Sequence, residues 1–370
     1  MITEGNTALK KLRTLPVNDN YYPVSDWVHH KETIMMWPER ADNWREGAKP
    51  AQRIFCKIAT ILSKYEQVTM LVSQKQYQNA RQLLPSSIRV IEMSYNDIWI
   101  RDIGPTFLKN EHNNLRAVDW NFNAWGGLID GLYFPWDFDN LVTQKLCDIY
   151  NINYYKSKLV LEGCGYQTDG KGTILAVEES VLSEGRNGRV SKQYVEKFFQ
   201  NYLNAHKIIW LKRGFYMDET NGDIDNIAIF VNPKEIALAW TENHQDPMYG
   251  ICHEALKILQ TSTNADGQHF TIHKIPLPRP LYATQKESEG VDKVNGLLPR
   301  YTSDRLTSSY INIYMANSAI LVPIFDDPQD QRALSIYQKL FPERTIIPIN
   351  SRELLLGGGN LHSIILGIPD

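Results

Sequence analysis

The feature that most constrains this chain is a repeated order of short apolar strands and amphipathic helices with little repetition of the residues themselves. From residue 140 the order is regular. Helical spacing over 140–150 precedes extended runs at 158–163 and 173–178, with a turn at Asp169-Gly170 before the second run. A helix over 191–203 leads to strands at 206–211, 226–231 and 236–241, and Asn232-Pro233 marks the hairpin between the last two. The order recurs as helix 248–259, strand 270–276, strands 310–315 and 319–324, helix 329–340, and strands 344–350 and 361–366. The first part carries a helix over 50–65 with Pro50 at its start, a second helix over 74–84, and strands at 67–73, 87–95, 106–109 and 115–120. A lone early strand, 33–37, lacks a local partner and is expected to pair with the last one. The count is about five strand–strand–helix–strand units, one of them closed by joining the two ends. End-to-end closure predicts a ring, an α/β propeller of five blades built from ββαβ units over a single domain, 1–370. A doubly wound parallel sheet is the competitor, but no GxGxxG follows a first strand.

Composition narrows the partners. With 39 basic and 42 acidic residues the formal charge is −3, so there is no electrostatic footprint for nucleic acid or an anionic membrane. No apolar stretch approaches membrane-spanning length, and Met1-Ile2-Thr3-Glu4-Gly5-Asn6 lacks the pattern of a secretion signal, so a cytoplasmic location is expected. Cys56, Cys147, Cys164 and Cys252 are widely spaced without a CxxC pair, which argues against a disulfide framework and against a zinc site.

Four stretches carry chemistry. Asp97-Ile98-Trp99-Ile100-Arg101-Asp102 sets acids, an arginine and an aromatic at a strand end, directly before Gly104-Pro105. Arg101 could simply pair with a neighbouring acid on a solvated edge, while Trp99 beside acids makes a wall for a cation. Leu159-Val160-Leu161-Glu162-Gly163-Cys164-Gly165 ends an apolar run in a carboxylate, which needs a partner if buried. Asp223 and Asp225 precede another apolar strand, where alternation would put both on one face; a calcium loop is the rival, without its twelve-residue frame. Gly357-Gly358-Gly359-Asn360-Leu361-His362-Ser363 is a glycine turn placing Ser363 at the entrance of a strand, whether for catalysis or merely for close packing. Acidic strand ends from several repeats would converge at the middle of a ring. Carboxylates without basic partners call for a cation, and a planar guanidinium with its forked donors fits best.

Several of these stretches resemble one family. Met35-Met36-Trp37-Pro38-Glu39-Arg40 with Asp42-Asn43-Trp44-Arg45, Asn96–Asp102, Trp120–Gly127, Leu182–Asn187, Glu219–Gly222 and Gly357–Asn360 are similar, in order, to signatures of the agmatine deiminases. The resemblance implies a five-bladed propeller of the guanidine-modifying superfamily, which hydrolyses agmatine to N-carbamoylputrescine and ammonia without metal or organic cofactor. It also implies a cysteine thiolate that attacks the guanidinium carbon, a histidine acid–base, two aspartates that hold the guanidinium, and a glutamate that orients the histidine. Carried over, Asp102 and Asp225 match the aspartates, Glu162 the glutamate and Trp99 a site aromatic; Gly358 and Gly359 lie in the closing motif.

Two roles fail to carry over. Gly222-Asp223-Ile224-Asp225 stands where the family has Gly-His-Val-Asp, and Asn360-Leu361-His362-Ser363 where it has Asn-Ile-His-Cys. Asp223 thus occupies the histidine position and Ser363 the nucleophile position. Cys164-Gly165 replaces Gly-Ser, and Gln167 stands where a histidine is common. A serine needs a positioned base, and crowded carboxylates raise one another's pKa rather than shuttle protons. The expectation is a family member with impaired or silent deiminase chemistry that retains a pocket for a small guanidino or amine ligand. The alternative is a hydrolase active on agmatine or another guanidino compound by a modified mechanism. Cys164, two residues after Glu162, is either a stand-in nucleophile or a buried thiol filling a gap. A homo-oligomer or a complex with an active paralogue are the assemblies left open.

Overall fold

The computed structural model describes residues 10–294 and 300–370; the N-terminal reading of Met1–Asn6 lies outside the described residues. Five sheets are present, as the unit count requires. Three have the same plan. Tyr166–Thr168 pairs antiparallel with Thr173–Val177, which pairs parallel with Lys207–Leu211 across the helix Lys192–Leu203. Ala228–Asn232, Glu235–Trp240 and Thr271–Pro276 repeat that plan across Met248–Thr261, and Tyr314–Ala316, Ala319–Ile324 and Thr345–Asn350 repeat it across Asp330–Leu340. Tight turns suffice for the antiparallel step, whereas each parallel step needs a helical crossover.

The remaining two sheets are enlarged. Thr106–Lys109, Leu115–Asn121 and Asn153–Val160 form the shared plan, and Lys11–Leu12 and Tyr22–Pro23 add the two edges. The last sheet joins the chain ends. Leu366–Pro369 pairs antiparallel with His30–Met36, with Leu366 opposite Ile34, and Gln67–Val72 and Arg89–Glu92 follow in parallel. The early strand does partner the last one, and the five sheets form the blades of an α/β propeller.

Local sequence explains the helices. Lys49–Leu62 has Pro50 in its first turn and buries Phe55, Ile58, Ala59 and Leu62 on one stripe. Ser191 caps Lys192–Leu203 by accepting from the Tyr194 N–H at 3.2 Å, and Asn204 ends that helix in the left-handed region. Central strands such as Ala319–Ile324 are buried on both faces between helix and ring interior, so they read as continuous apolar runs.

Four expected strands differ, each near the ring's centre. Asp97–Asp102 is no strand end: Ile100–Ile103 is a helical turn in which the Trp99 carbonyl accepts from Asp102 and Ile103, and the Asp139 carboxylate takes the Asn96 and Asp97 N–H groups. Asp223 precedes a tight turn, Ile224–Asn226, and Asp225 lies within it, ahead of the strand, so alternation does not apply to them. Tyr314–Ala316 starts later than 310 because Ser309 and Asn312 direct their side chains to Asn226 and Asp225. The last strand begins at Leu366, since Asn360 and Asn312 side chains occupy the Leu361 and His362 N–H groups. Elsewhere, Asn153–Val160 starts earlier than 158 and ends where the Asn187 side chain takes both main-chain groups of Val160.

Candidate active site

Three of these irregular segments, at 97–102, 223–226 and 359–363, line one cavity of about 830 Å³. Trp99, Asp102, Cys164, Asp223, Asp225, Gly358, Gly359 and Ser363 all face it. Glu162 lies behind the wall, fully buried, and Arg101 and Gln167 also lie outside the cavity.

Each acid has definite partners. Asp102 Oδ1 accepts from the Cys164 N–H at 3.0 Å. Asp225 Oδ2 accepts from Asn312 Nδ2 at 2.9 Å and sits 3.1 Å from His362 Nδ1. Asp223 Oδ1 accepts from the Ser180 hydroxyl and lies 3.5 Å from Arg186 Nη2. Glu162 orients no histidine here: Arg186 Nε contacts its two oxygens at 3.0 and 3.2 Å. Arg186 is held in turn by Ser183 Oγ, Asn221 Oδ1 and the Thr220 carbonyl.

The carboxylates depress one another's ionisation. Burial, reinforced by Glu162 and Asp225, pushes Asp102 up to about 7. Asp223 is pushed well above the carboxylate range by burial, with Glu162 and Asp102 adding and Arg186 opposing. Cys164 rises well above the ordinary thiol value through burial and the charges of Asp102, Asp225 and Asp223.

Aromatic and glycine positions shape the walls. Trp99 donates Nε1–H to Asp97 at 3.0 Å, stacks on Trp44 at 5.7 Å between centroids, and meets Trp125 edge-on at 6.3 Å. A Cβ on Gly359 would stand 2.2 Å from Trp99 Cζ3. Gly358 has φ +104°, and a Cβ there would meet Glu219 Oε1 at 1.9 Å. The glycine run therefore serves close approach. At Ser363 the carbonyl accepts from the Arg101 N–H at 3.2 Å while the residue lines the cavity.

Arg101 pairs not with a neighbouring acid on a solvated edge but with Asp26, at 3.0 Å. Asp26 Oδ2 also lies 3.0 Å from His362 Nε2, so His362 is clasped between Asp26 and Asp225. Burial and Arg101 oppose the imidazolium, yet the two carboxylates outweigh them and raise the His362 pKa. Sequence reasoning missed Asp26, Asn312 and His362 as parts of the site. Asp26 and Asn312 carry no local signal; His362 adjoins Ser363 and was legible only as part of its motif. The turn Gly163–Gly165, not strand alternation, carries Cys164 to the cavity.

A family model described as Porphyromonas-type peptidyl-arginine deiminase matches residues 23–369. A Listeria monocytogenes protein named "Putative agmatine deiminase 2" is 51% identical over 361 residues, 97% of this chain and 98% of that one. An agmatine deiminase of Pseudomonas aeruginosa is 45% identical over 351 residues, 94% of this chain and 95% of that one. A solved structure of the agmatine deiminase of Enterococcus faecalis, described as catalysing its reaction, superposes with a TM-score of 0.95 at 41% identity and covers 98% of this chain and 100% of its own. With the fold shared and nearly the whole length of each chain matched, the chain belongs to the agmatine deiminase family.

Proposed function

We propose that this protein keeps the family's pocket for a guanidinium or amine while its agmatine hydrolysis is impaired or silent. The observation that carries the reading is the composition of the cavity floor: Asp102, Asp223 and Asp225 converge with Ser363. The nearby imidazole, His362, is committed to two carboxylates. In this reading Asp102 and Asp225 bind the guanidinium by paired, charge-assisted hydrogen bonds, with Trp99, Gly358 and Gly359 setting the pocket's shape. Ser363 at the nucleophile position has no positioned base, because Asp223 is crowded by acids and engaged by Ser180 and Arg186. Nothing at that position hands a proton to departing ammonia.

The modified-mechanism alternative rests on Cys164, whose thiol shares the cavity with Asp102 and Asp225. Its raised pKa disfavours the thiolate until a cation arrives. Mechanism-based haloacetamidine labelling read by mass spectrometry separates the two: adduct on Cys164 supports the alternative, and no adduct supports the silent pocket. Ammonia release from agmatine, run beside calorimetry with the same compound, tests the main reading. Binding without turnover is expected; turnover at the rate of an active family member overturns it. A single domain over 1–370, a cytoplasmic location, and assembly with itself or with an active paralogue belong to the same proposal. Among the described residues no helix is long and apolar enough to cross a membrane.

A further inference from the structure

Cys164 Sγ, Asp225 Oδ2 and His362 Nδ1 form a compact group where Cys164 and Asp225 line the cavity. The ligand-capable atoms of these three residues lie within 4.8 Å of one another, and all three residues are buried. Two of the separations are 4.0 Å, between Sγ and Nδ1, and 3.1 Å, between Nδ1 and Oδ2. Zinc bonds of about 2.0–2.3 Å at tetrahedral angles put neighbouring donors roughly 3.5 Å apart. The two separations just given lie within about half an ångström of that spacing, and the third is no longer than 4.8 Å. From the geometry we infer that Cys164, Asp225 and His362 are three ligands of a borderline-soft divalent cation, zinc in the first instance, with a fourth position open to the cavity.

Three further observations support this assignment, which goes beyond the guanidinium reading. The far nitrogen of His362 faces Asp26 at 3.0 Å, and Asp26 is itself held by Arg101. A carboxylate behind a histidine is how metal-bound imidazoles are oriented and made basic. Cys164 also differs from the other two buried cysteines. Cys147 and Cys252 sit within apolar clusters, whereas Cys164 belongs to none of them and faces carboxylates. A thiol that merely filled a gap would have apolar neighbours. Finally, the connected network holds five carboxylates (Asp26, Asp102, Glu162, Asp223 and Asp225) against Arg101, Arg186 and His362. Such an excess of carboxylates draws a cation, and the two protons that its entry releases leave the net charge of the network unchanged.

Thiolate, imidazole and carboxylate together suit zinc better than calcium or magnesium, which take all-oxygen sets. Entry of the ion displaces two protons to solvent, one from the Cys164 thiol and one from between His362 Nδ1 and Asp225. Cys164, Asp225 and Ser363 line the cavity, so water or a ligand atom completes the coordination. Because Asp225 serves both, zinc and a guanidinium compete. The widely spaced cysteines that spoke against zinc in the sequence do so only for sites built from local pairs.

The test uses the tag-free full chain, stripped with chelator and dialysed against zinc. One zinc per chain is expected, weakened at least tenfold by Cys164→Ala and left unchanged by Cys252→Ser. Cobalt substitution of the wild-type chain guards against a variant that misfolds: a thiolate-to-cobalt charge-transfer band with intense visible bands is expected. Zinc affinity unaltered in Cys164→Ala, or a weak octahedral cobalt spectrum without the thiolate band, overturns the assignment. Calorimetry of agmatine with the metal-free chain tests the guanidinium pocket separately, so either reading can fail alone.

Discussion

Arg186 and Glu162 form an ion pair with no exposed surface on either side chain, Nε standing 3.0 Å from one carboxylate oxygen and 3.2 Å from the other. Removing one member of a buried pair strands the other charge, at a cost of about 3–5 kcal/mol. Arg186→Met should lower unfolding free energy by that amount in urea titrations. Arg186→Lys should rescue only part of it, because one ammonium cannot replace a fork that also serves Ser183, Asn221 and Thr220. A loss below about 1 kcal/mol would show that water reaches Glu162 after all.

In the proposed pocket, Asp102 should set the pH dependence of cation binding. Its folded pKa of about 7, raised by burial and then by Glu162 and Asp225, lies above its unfolded value. An acid raised in this way favours the folded state most below the unfolded pKa, and that advantage disappears as pH climbs through the folded value. The ligand-free chain should therefore lose thermal stability between about pH 4 and pH 8 on this account. Agmatine needs the ionised form, so its affinity should rise about tenfold from roughly pH 6 to pH 8, with protons released on binding. Calorimetry in two buffers of different ionisation enthalpy measures that release; a pH-independent affinity contradicts it.

The glycine run can be probed one position at a time. Gly359→Ala drives a methyl into Trp99, and overpacking of this kind costs about 1–3 kcal/mol. Gly267→Ala is the control, since φ is +77° there but nothing lies within 4 Å of the added atom. It should cost only the backbone strain, about 1–2 kcal/mol, and leave agmatine binding untouched. Thermal melts and calorimetry on the pair distinguish damage to the pocket wall from strain alone.

Under the proposed reading, a thiol at position 363 and an imidazole at position 223 should revive the chemistry only partly. Ser363→Cys supplies a thiol, and Asp223→His supplies an acid–base group. The new imidazole, however, enters a corner bounded by Ser180 and the Arg186 guanidinium, and both oxygens of Glu162 are already engaged. A positioning error of about 1 Å can cost on the order of a hundredfold in rate. The double variant should release measurable ammonia from agmatine yet stay well below an active homologue. Parity with a homologue would make Cys164, Gly165 and Gln167 neutral; wild-type turnover at that level would remove the premise of impairment.

Local order along the chain was enough to predict five sheets and the union of the early strand with the last, because strand and helix periodicities are short-range properties and ring closure follows from counting them. It also picked out Asp102, Asp223, Asp225 and Ser363, which the fold gathers in one cavity. Strand boundaries near the centre were misread where side chains such as Asp139, Asn312 and Asn360 capture main-chain groups that propensity assigns to a ladder. The pairing of Arg186 with Glu162, the clasp of His362 by Asp26, and the approach of Cys164 to that imidazole depended on tertiary structure alone. Asp26 and His362 lie 336 residues apart and Cys164 and His362 lie 198 apart, and no periodicity links such positions. Only closure of the ring brings them within hydrogen-bonding distance, where burial makes every unpaired charge expensive enough to select its partner.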